Sequence, residues 1–211
     1  MSIGLGEEAP NFTAKTTEGE ITFHTWMDGK WAMFFSYPED FTPVCTTELG
    51  AVAKLMPEFE KRNTKVIGLS IDSVSVHNEW NKDIDETQCT AMNYPVIGDD
   101  DSKVSNMYDL IHPNSSGKQT IRAVYIVGPD KKVKLSMEYP SSTGRNFKEI
   151  LRCIDSLQIA EKYDVATPVD WKDGDDMIVK PSVPDSELEA KFPQGVTKIK
   201  SYLRTTPQPV K

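Results

Sequence analysis

The sequence is poor in cysteine: Cys45, Cys89 and Cys153 are the only three in 211 residues. They are odd in number and widely spaced, and no C-x-x-C pair occurs, so neither a disulfide framework nor a zinc site is expected. Histidine is equally scarce, and His24, His77 and His112 are too scattered to suggest a metal centre. No apolar run approaches the roughly 18 residues of a membrane span. The opening Met1-Ser2-Ile3-Gly4-Leu5-Gly6-Glu7-Glu8 lacks the basic stretch and apolar run of a signal peptide. Basic residues are outnumbered, and the net charge of −8 repels phosphate backbones and anionic lipid. These absences argue against a nucleic-acid partner and against stable membrane association. They point to a soluble, cytoplasmic protein with reduced cysteines.

What is present suits a folded domain. Hydrophobic residues make up 38% of the chain and charged residues 27%, enough for one core of ordinary size. Short apolar runs at 31–36, 66–71, 94–97, 123–127 and 133–139 read as strands. Between them lie helical spacings: Leu49, Val52, Ala53, Met56 and Phe59; Val76, Trp80 and Ile84; Val104, Met107, Tyr108 and Ile111; and Phe147, Ile150, Leu151, Ile154 and Leu157. Alternating strands and helices predict an α/β fold with a largely parallel sheet, while the turn Gly128-Pro129-Asp130-Lys131-Lys132 adds an antiparallel hairpin. The expectation is a central mixed β-sheet flanked by helices on both faces. After about Lys162 proline, aspartate and glycine become frequent, so the chain is divided into a main domain, 1–165, and a small C-terminal extension, 166–211. The extension is expected to be too short to bury a core of its own, with one helix from Asp185 to Phe192 ended by Pro193.

The chemistry-bearing stretch runs from Phe35 through Pro38, Thr42 and Cys45 to Glu48, between a strand and an amphipathic helix. Thr42 is a good N-cap and Pro43 suits the first helical position, which puts Cys45 third. That is the first turn, near free backbone N–H groups and the positive end of the helix dipole. A thiolate rather than a thiol attacks peroxide oxygen, and such a placement favours the thiolate. The product would be a sulfenic acid, with water or an alcohol leaving. The leaving oxygen gathers negative charge, for which an arginine is a suitable donor. Arg122, opening a strand, and Arg145, preceding a helix, are the candidates. On position alone a buried filler and a reactive thiol both remain open for Cys45, and a surface salt bridge remains open for each arginine.

Pro38-x-x-x-Thr42-x-x-Cys45 matches the active-site motif of the peroxiredoxins. The longer run from Asp40 to Glu48 (DFTPVCTTE) resembles the one-cysteine branch, the peroxiredoxin 6 subfamily. Leu69-Ser70-Ile71-Asp72-Ser73, Gly128–Lys132, Thr143-Gly144-Arg145-Asn146-Phe147 and Ala166–Gly174 are similar to the same subfamily, so the resemblance covers nearly the whole chain. It implies a thioredoxin-like fold with a C-terminal extension, a homodimer or higher homo-oligomer, and an antioxidant peroxidase acting on hydrogen peroxide and organic hydroperoxides. By the same resemblance Cys45 is the peroxidatic residue, Thr42 hydrogen-bonds thiolate and peroxide, Pro38 shields the pocket, and Arg122 activates the sulfur. Glu48 and Arg145 form a supporting network.

Two positions depart from that pattern. Tyr37 stands where the subfamily usually has histidine, which bears on any step needing an imidazole. The region matching a G-x-S-x-G lipase segment, Met27-Asp28-Gly29-Lys30-Trp31-Ala32, holds no serine, so phospholipase activity is not expected.

No cysteine follows Cys153, which falls at the edge of an apolar helical face and reads as core filler. Cys89 reads as a loop residue; an exposed, redox-active role stays open for it, but disulfide geometry, which needs closely placed partners, disfavours it as a resolving cysteine. The sulfenic acid is therefore expected to be reduced by an external thiol, with glutathione the family-level expectation, and no bound cofactor is expected. A peroxide sensor or holdase using the same thiol shares the first chemical step. A thiol–disulfide oxidoreductase is disfavoured by the missing C-x-x-C.

Overall fold

The run Trp31–Ser36 is buried at every position, which a strand achieves only when both faces of its sheet are covered. The computed structural model describes residues 3–112 and 119–209, and the chain divides into two units, 1–147 and 148–211. In the first unit the order is β1 (Thr13–Thr16), β2 (Gly19–Thr22), α1 (Phe23–Met27), β3 (Trp31–Ser36), α2 (Pro43–Lys61), β4 (Thr64–Ser70), α3 (Val74–Gln88), β5 (Val96–Gly98), α4 (Lys103–Met107), β6 (Arg122–Val127) and β7 (Val133–Tyr139). Among the described residues these strands form one seven-stranded sheet in the order β2-β1-β5-β4-β3-β6-β7.

The sheet is mixed, but it is not largely parallel. Only β4 runs parallel to its neighbours β3 and β5. The pairs β1–β2, β1–β5, β3–β6 and β6–β7 are antiparallel. The sequence reading missed β1 and β2 because the stretch TAKTTEGEIT is mostly polar and its strands are only half covered. The helix expected over 104–111 is also shorter. Asp109 adopts a left-handed φ of 55°, which an α-helix does not accommodate, and Ile111 instead bridges to Thr120.

Strand periodicity sorts the core. Ala32 and Phe34 of β3 join Phe12, Phe23, Ile67, Leu69, Tyr108 and Tyr125 on one face. Phe35, on the other face, meets the rings of Tyr37, Tyr94 and Phe147. Helix α2 buries Leu49, Val52, Ala53, Met56 and Phe59, the stripe read from the sequence. Pro57 lies inside this helix and cannot donate to the carbonyl four residues back. That carbonyl, of Ala53, accepts the Asn93 side chain instead, at 3.1 Å.

The second unit comprises α5, which begins at Phe147 and runs to Lys162, then β8 (Val165–Ala166), β9 (Met177–Val179), a 3₁₀ turn (Asp185–Glu187), α6 (Leu188–Lys191), β10 (Thr197–Lys200) and β11 (Leu203–Thr206). Its strands form a second sheet in the order β10-β11-β9-β8. This unit takes in α5 as well as the extension 166–211, and its apolar cluster joins Ile159 of α5 and Val165 to Trp171, Met177, Val179, Val183, Leu188 and Phe192 of the extension. Trp171 is fully buried with its indole N–H on the Asp175 carbonyl at 3.1 Å. The helical segment expected from Asp185 is the 3₁₀ turn running into α6, ending just before Pro193.

Candidate active site

Topology gathers the candidate residues at one end of β3. The chain leaves β3 at Ser36, passes through Tyr37–Thr42 and enters α2 at Pro43. Thr42 is extended (φ −113°, ψ 145°), so Pro43 is the first helical residue and Cys45 the third. Strand β6 runs antiparallel to β3 with Val124 opposite Phe35, which brings Arg122, the first residue of β6, beside the end of β3. Arg122 in turn lies opposite Tyr139 of β7. The chain that follows β7 therefore returns Ser141 and Arg145 to the same place.

The side chains converge there. Cys45 is fully buried, and Arg122 Nη1 donates to its Sγ at 3.1 Å. The same nitrogen donates to Glu48 Oε2 at 2.7 Å. Arg122 Nε and Nη2 both donate to the Ser141 carbonyl, at 3.1 and 2.9 Å, which fixes the plane of the guanidinium. Arg145 donates to Glu48 through its backbone N and Nε (2.8 and 2.9 Å to Oε1) and through Nη2 (2.7 Å to Oε2). Its Nη1 is held by the carbonyls of Ser36 and Ala123 at 2.7 and 2.9 Å. The Phe35 ring centroid lies 5.0 Å from this guanidinium.

The charges in this buried cluster do not balance. Glu48, Arg122 and Arg145 are each no more than 7% exposed, and guanidinium groups keep their charge in proteins. The Glu48 carboxylate receives four N–H donors, so it is an acceptor on every side. One carboxylate against two guanidiniums leaves one buried positive charge uncompensated, which is costly. The sulfur touching Arg122 is the group placed to supply the missing negative charge.

Thr42 occupies the N-cap position, but its side chain makes no cap bond to the helix. Its hydroxyl donates to the Glu39 carbonyl at 2.8 Å, which leaves the oxygen an acceptor toward other groups unless that bond is exchanged. Pro38 is buried in the connecting segment. Tyr37 is fully buried, and its hydroxyl donates to Asp40 Oδ1 at 2.9 Å. Burial, and then the Asp40 charge, raise the Tyr37 phenol well above its usual range, so it remains a donor. Asp40 Oδ2 lies 2.6 Å from His77 Nδ1. Asp40, His77 and the Ser141 carbonyl were not singled out from the sequence. Asp40 lies inside the motif, but nothing local signals a partner on α3, and a backbone carbonyl leaves no mark on residue identity.

The other thiols differ in setting. Cys89 is exposed at the C-terminus of α3, in a left-handed conformation with φ 52°. Cys153 is buried and donates to Glu149 at 3.3 Å. Burial, and then Glu149, push its thiol up to about 11, so it keeps its proton at neutral pH and is a weak nucleophile.

Residues 5–136 match the AhpC/TSA family, and residues 156–195 match the C-terminal domain of 1-Cys peroxiredoxin. The chain is 52% identical over 209 residues to the 1-Cys peroxiredoxin of Dictyostelium discoideum, covering 99% of this chain and 87% of that protein. A crystal structure of a mutant of the peroxiredoxin 6 of Arenicola marina superposes with a TM-score of 0.92 at 46% identity, over 100% of both chains. A yeast mitochondrial 1-Cys peroxiredoxin, studied for thiol resolution through glutathione and thioredoxin systems, gives a TM-score of 0.92 at 44% identity, covering 97% of this chain and 99% of the other.

Proposed function

Since the chain belongs to the one-cysteine peroxiredoxins, thiol-dependent peroxidases of thioredoxin-like fold, we propose that Cys45 is its peroxidatic sulfur and Arg122 the donor that activates it. The observation that carries this reading is the 3.1 Å contact of Arg122 Nη1 with Cys45 Sγ inside a cluster short of one negative charge. An anionic sulfur completes that cluster. The anion attacks one oxygen of a hydroperoxide; an S–O bond forms and the O–O bond breaks. Sulfur is oxidised by two electrons to the sulfenic acid, and the departing oxygen takes up a proton to leave as water or an alcohol. Fixed guanidinium donors beside the sulfur stabilise charge on both the attacking and the departing atom without reorganising. Thr42 lies three residues before the sulfur, where its oxygen can accept from the peroxide O–H. Pro38 lines the segment leading to it, and Glu48 and Arg145 hold Arg122 in place.

The sulfenic acid is returned to the thiol by an external reductant. One thiol displaces water to form a mixed disulfide with Cys45, and a second releases Cys45 and leaves as the symmetrical disulfide. Glutathione is our choice, and the yeast relative's thiol resolution through glutathione and thioredoxin systems supports it. Cys153, with its tightly held proton, is poorly suited to that step. Dependence on a free thiol pool fits a reducing compartment, and we place the protein in the cytoplasm. We also assign it a homodimer or higher homo-oligomer, with β7, a seven-residue strand at one edge of the described sheet, as the surface that meets a second copy.

Steady-state consumption of hydrogen peroxide with excess glutathione tests the reading. Sustained turnover in the wild type, abolished by Cys45→Ser, is expected. Arrest after one equivalent of peroxide would indicate a sensor rather than an enzyme.

A further inference from the structure

The Tyr37–Asp40–His77 group takes no part in the chemistry just described, yet it is buried and ties the segment that delivers Thr42 and Cys45 to α3. Both nitrogens of His77 face acceptors. Nε2 lies 3.1 Å from the Ile97 carbonyl, which can only accept, so Nε2 carries a hydrogen. Nδ1 lies 2.6 Å from Asp40 Oδ2. A bond at that distance requires one further proton, on Nδ1 or on the carboxyl. Asp40 Oδ1 already accepts from the Tyr37 hydroxyl at 2.9 Å, and the Asp40 backbone N donates to Asp72 Oδ2 at 2.9 Å. Asp40 is thus tied at three points, to β3's end, to α3 and to the turn after β4.

We propose that Asp40 and His77 are positioning residues for the peroxidatic sulfur, and that one proton shared between them locks the segment Pro38–Thr42 into its reactive shape. This rests on Cys45 being the reacting sulfur. The segment needs such a lock because Phe41, directly after Asp40, is held at a left-handed φ of 53° and is 53% exposed, a conformation that non-glycine residues seldom adopt unaided. Its ring contact is with Trp80, on the same helix as His77. Once the proton leaves, the Nδ1 lone pair confronts a buried carboxylate and the link to α3 becomes repulsive.

The surrounding groups agree with a retained proton. Facing the pair are the Tyr37 hydroxyl, the Asp72 carboxylate, which accepts from Ser70 Oγ at 2.7 Å, and the Ile97 carbonyl. Burial, the largest influence on Asp40, raises it, and Asp72 acts in the same direction; the bonds from His77 and Tyr37 oppose them. The imidazole that Asp40 meets comes from His77 on α3.

The test is the pH dependence of Cys45 oxidation by hydrogen peroxide in single turnover, in the wild type and in Asp40→Asn, with ¹⁵N NMR of the His77 ring alongside. Asparagine can accept from Tyr37 and donate to neutral Nδ1, so it keeps the bonds without a proton to lose. The wild-type rate should fall about ten-fold or more on an alkaline limb, as expected when a reacting group is displaced. The His77 ring should pass from two N–H groups, or one with a protonated Asp40, to one beside a carboxylate over the same range, and the limb should vanish in Asp40→Asn. A wild-type profile without the limb, a limb that persists in Asp40→Asn, or a ring signal that does not change with it overturns the proposal. Should Asp40→Asn not fold, the wild-type ring signal decides. Absence of Cys45 oxidation at every pH would instead mean that Cys45 is not the reacting sulfur.

Discussion

Glu48 and Arg145 meet as a forked pair, Nε to Oε1 at 2.9 Å and Nη2 to Oε2 at 2.7 Å, although they are 97 residues apart in sequence. Two parallel bonds fix direction as well as distance. Because Oε2 also accepts from Arg122, the orientation of Arg145 is passed through one carboxylate to the nitrogen that touches Cys45. The fork thus determines where that nitrogen stands beside the sulfur.

Glu48→Gln should destabilise the protein strongly. The amide keeps the shape but removes the charge between two buried guanidiniums, and breaking a buried pair in this way costs about 3–5 kcal/mol. Urea unfolding of both proteins measures it. A loss well under about 1 kcal/mol would place the carboxylate outside the balance of charge described here.

Arg122→Ala should slow oxidation of the sulfur by about 10²–10³-fold, the usual effect of removing one preorganised donor from developing charge. Arg122→Lys should recover little. A single ammonium cannot reach Cys45 and Glu48 while also being held in plane by the Ser141 carbonyl. Single-turnover kinetics with hydrogen peroxide give both rates, and an unchanged rate in Arg122→Ala removes this residue from the site.

Thr42→Val should slow the same step by about 10- to 150-fold, since one hydrogen bond to a charged or charging group is worth about 1.5–3 kcal/mol. Thr42→Ser, which retains the hydroxyl, should stay near the wild-type rate. Equal losses in both variants would mean that the methyl group, by packing, is the part that matters.

Cys153 gives a pH signature of its own. Its thiol is raised from an ordinary 9.0 to about 11 by burial and then by Glu149. The folded protein holds this proton more tightly than the unfolded chain does. The resulting stability is complete below about pH 9 and is lost as pH rises through about 11. The stability difference between wild type and Cys153→Ala should therefore be flat up to pH 9 and shrink above it. A difference that stays constant through pH 11 contradicts the assignment.

The turn that carries Cys45 was readable in the sequence because each feature there is local: Thr42 extended, Pro43 first in the helix, Cys45 in the first turn. Strands Trp31–Ser36 and Val133–Tyr139 were readable for the same reason, from unbroken apolar or alternating runs. The hairpin β1–β2 was not, since its burial depends on β5, which lies about 80 residues further on. Nor was the setting of Tyr37. Its hydrogen-bond partner Asp40 is three residues away, but the group that fixes Asp40 is on α3, 37 residues further along. The apolar cluster of the second unit was also hidden, because Trp171, Met177 and Leu188 follow no single period and are assembled by turns.

The most direct test is rapid oxidation of the reduced protein with one equivalent of hydrogen peroxide, quenched and mapped by mass spectrometry. A single added oxygen on Cys45, with Cys89 and Cys153 unmodified, is the expected result. Oxygen on either of those cysteines while Cys45 stays reduced would contradict the account.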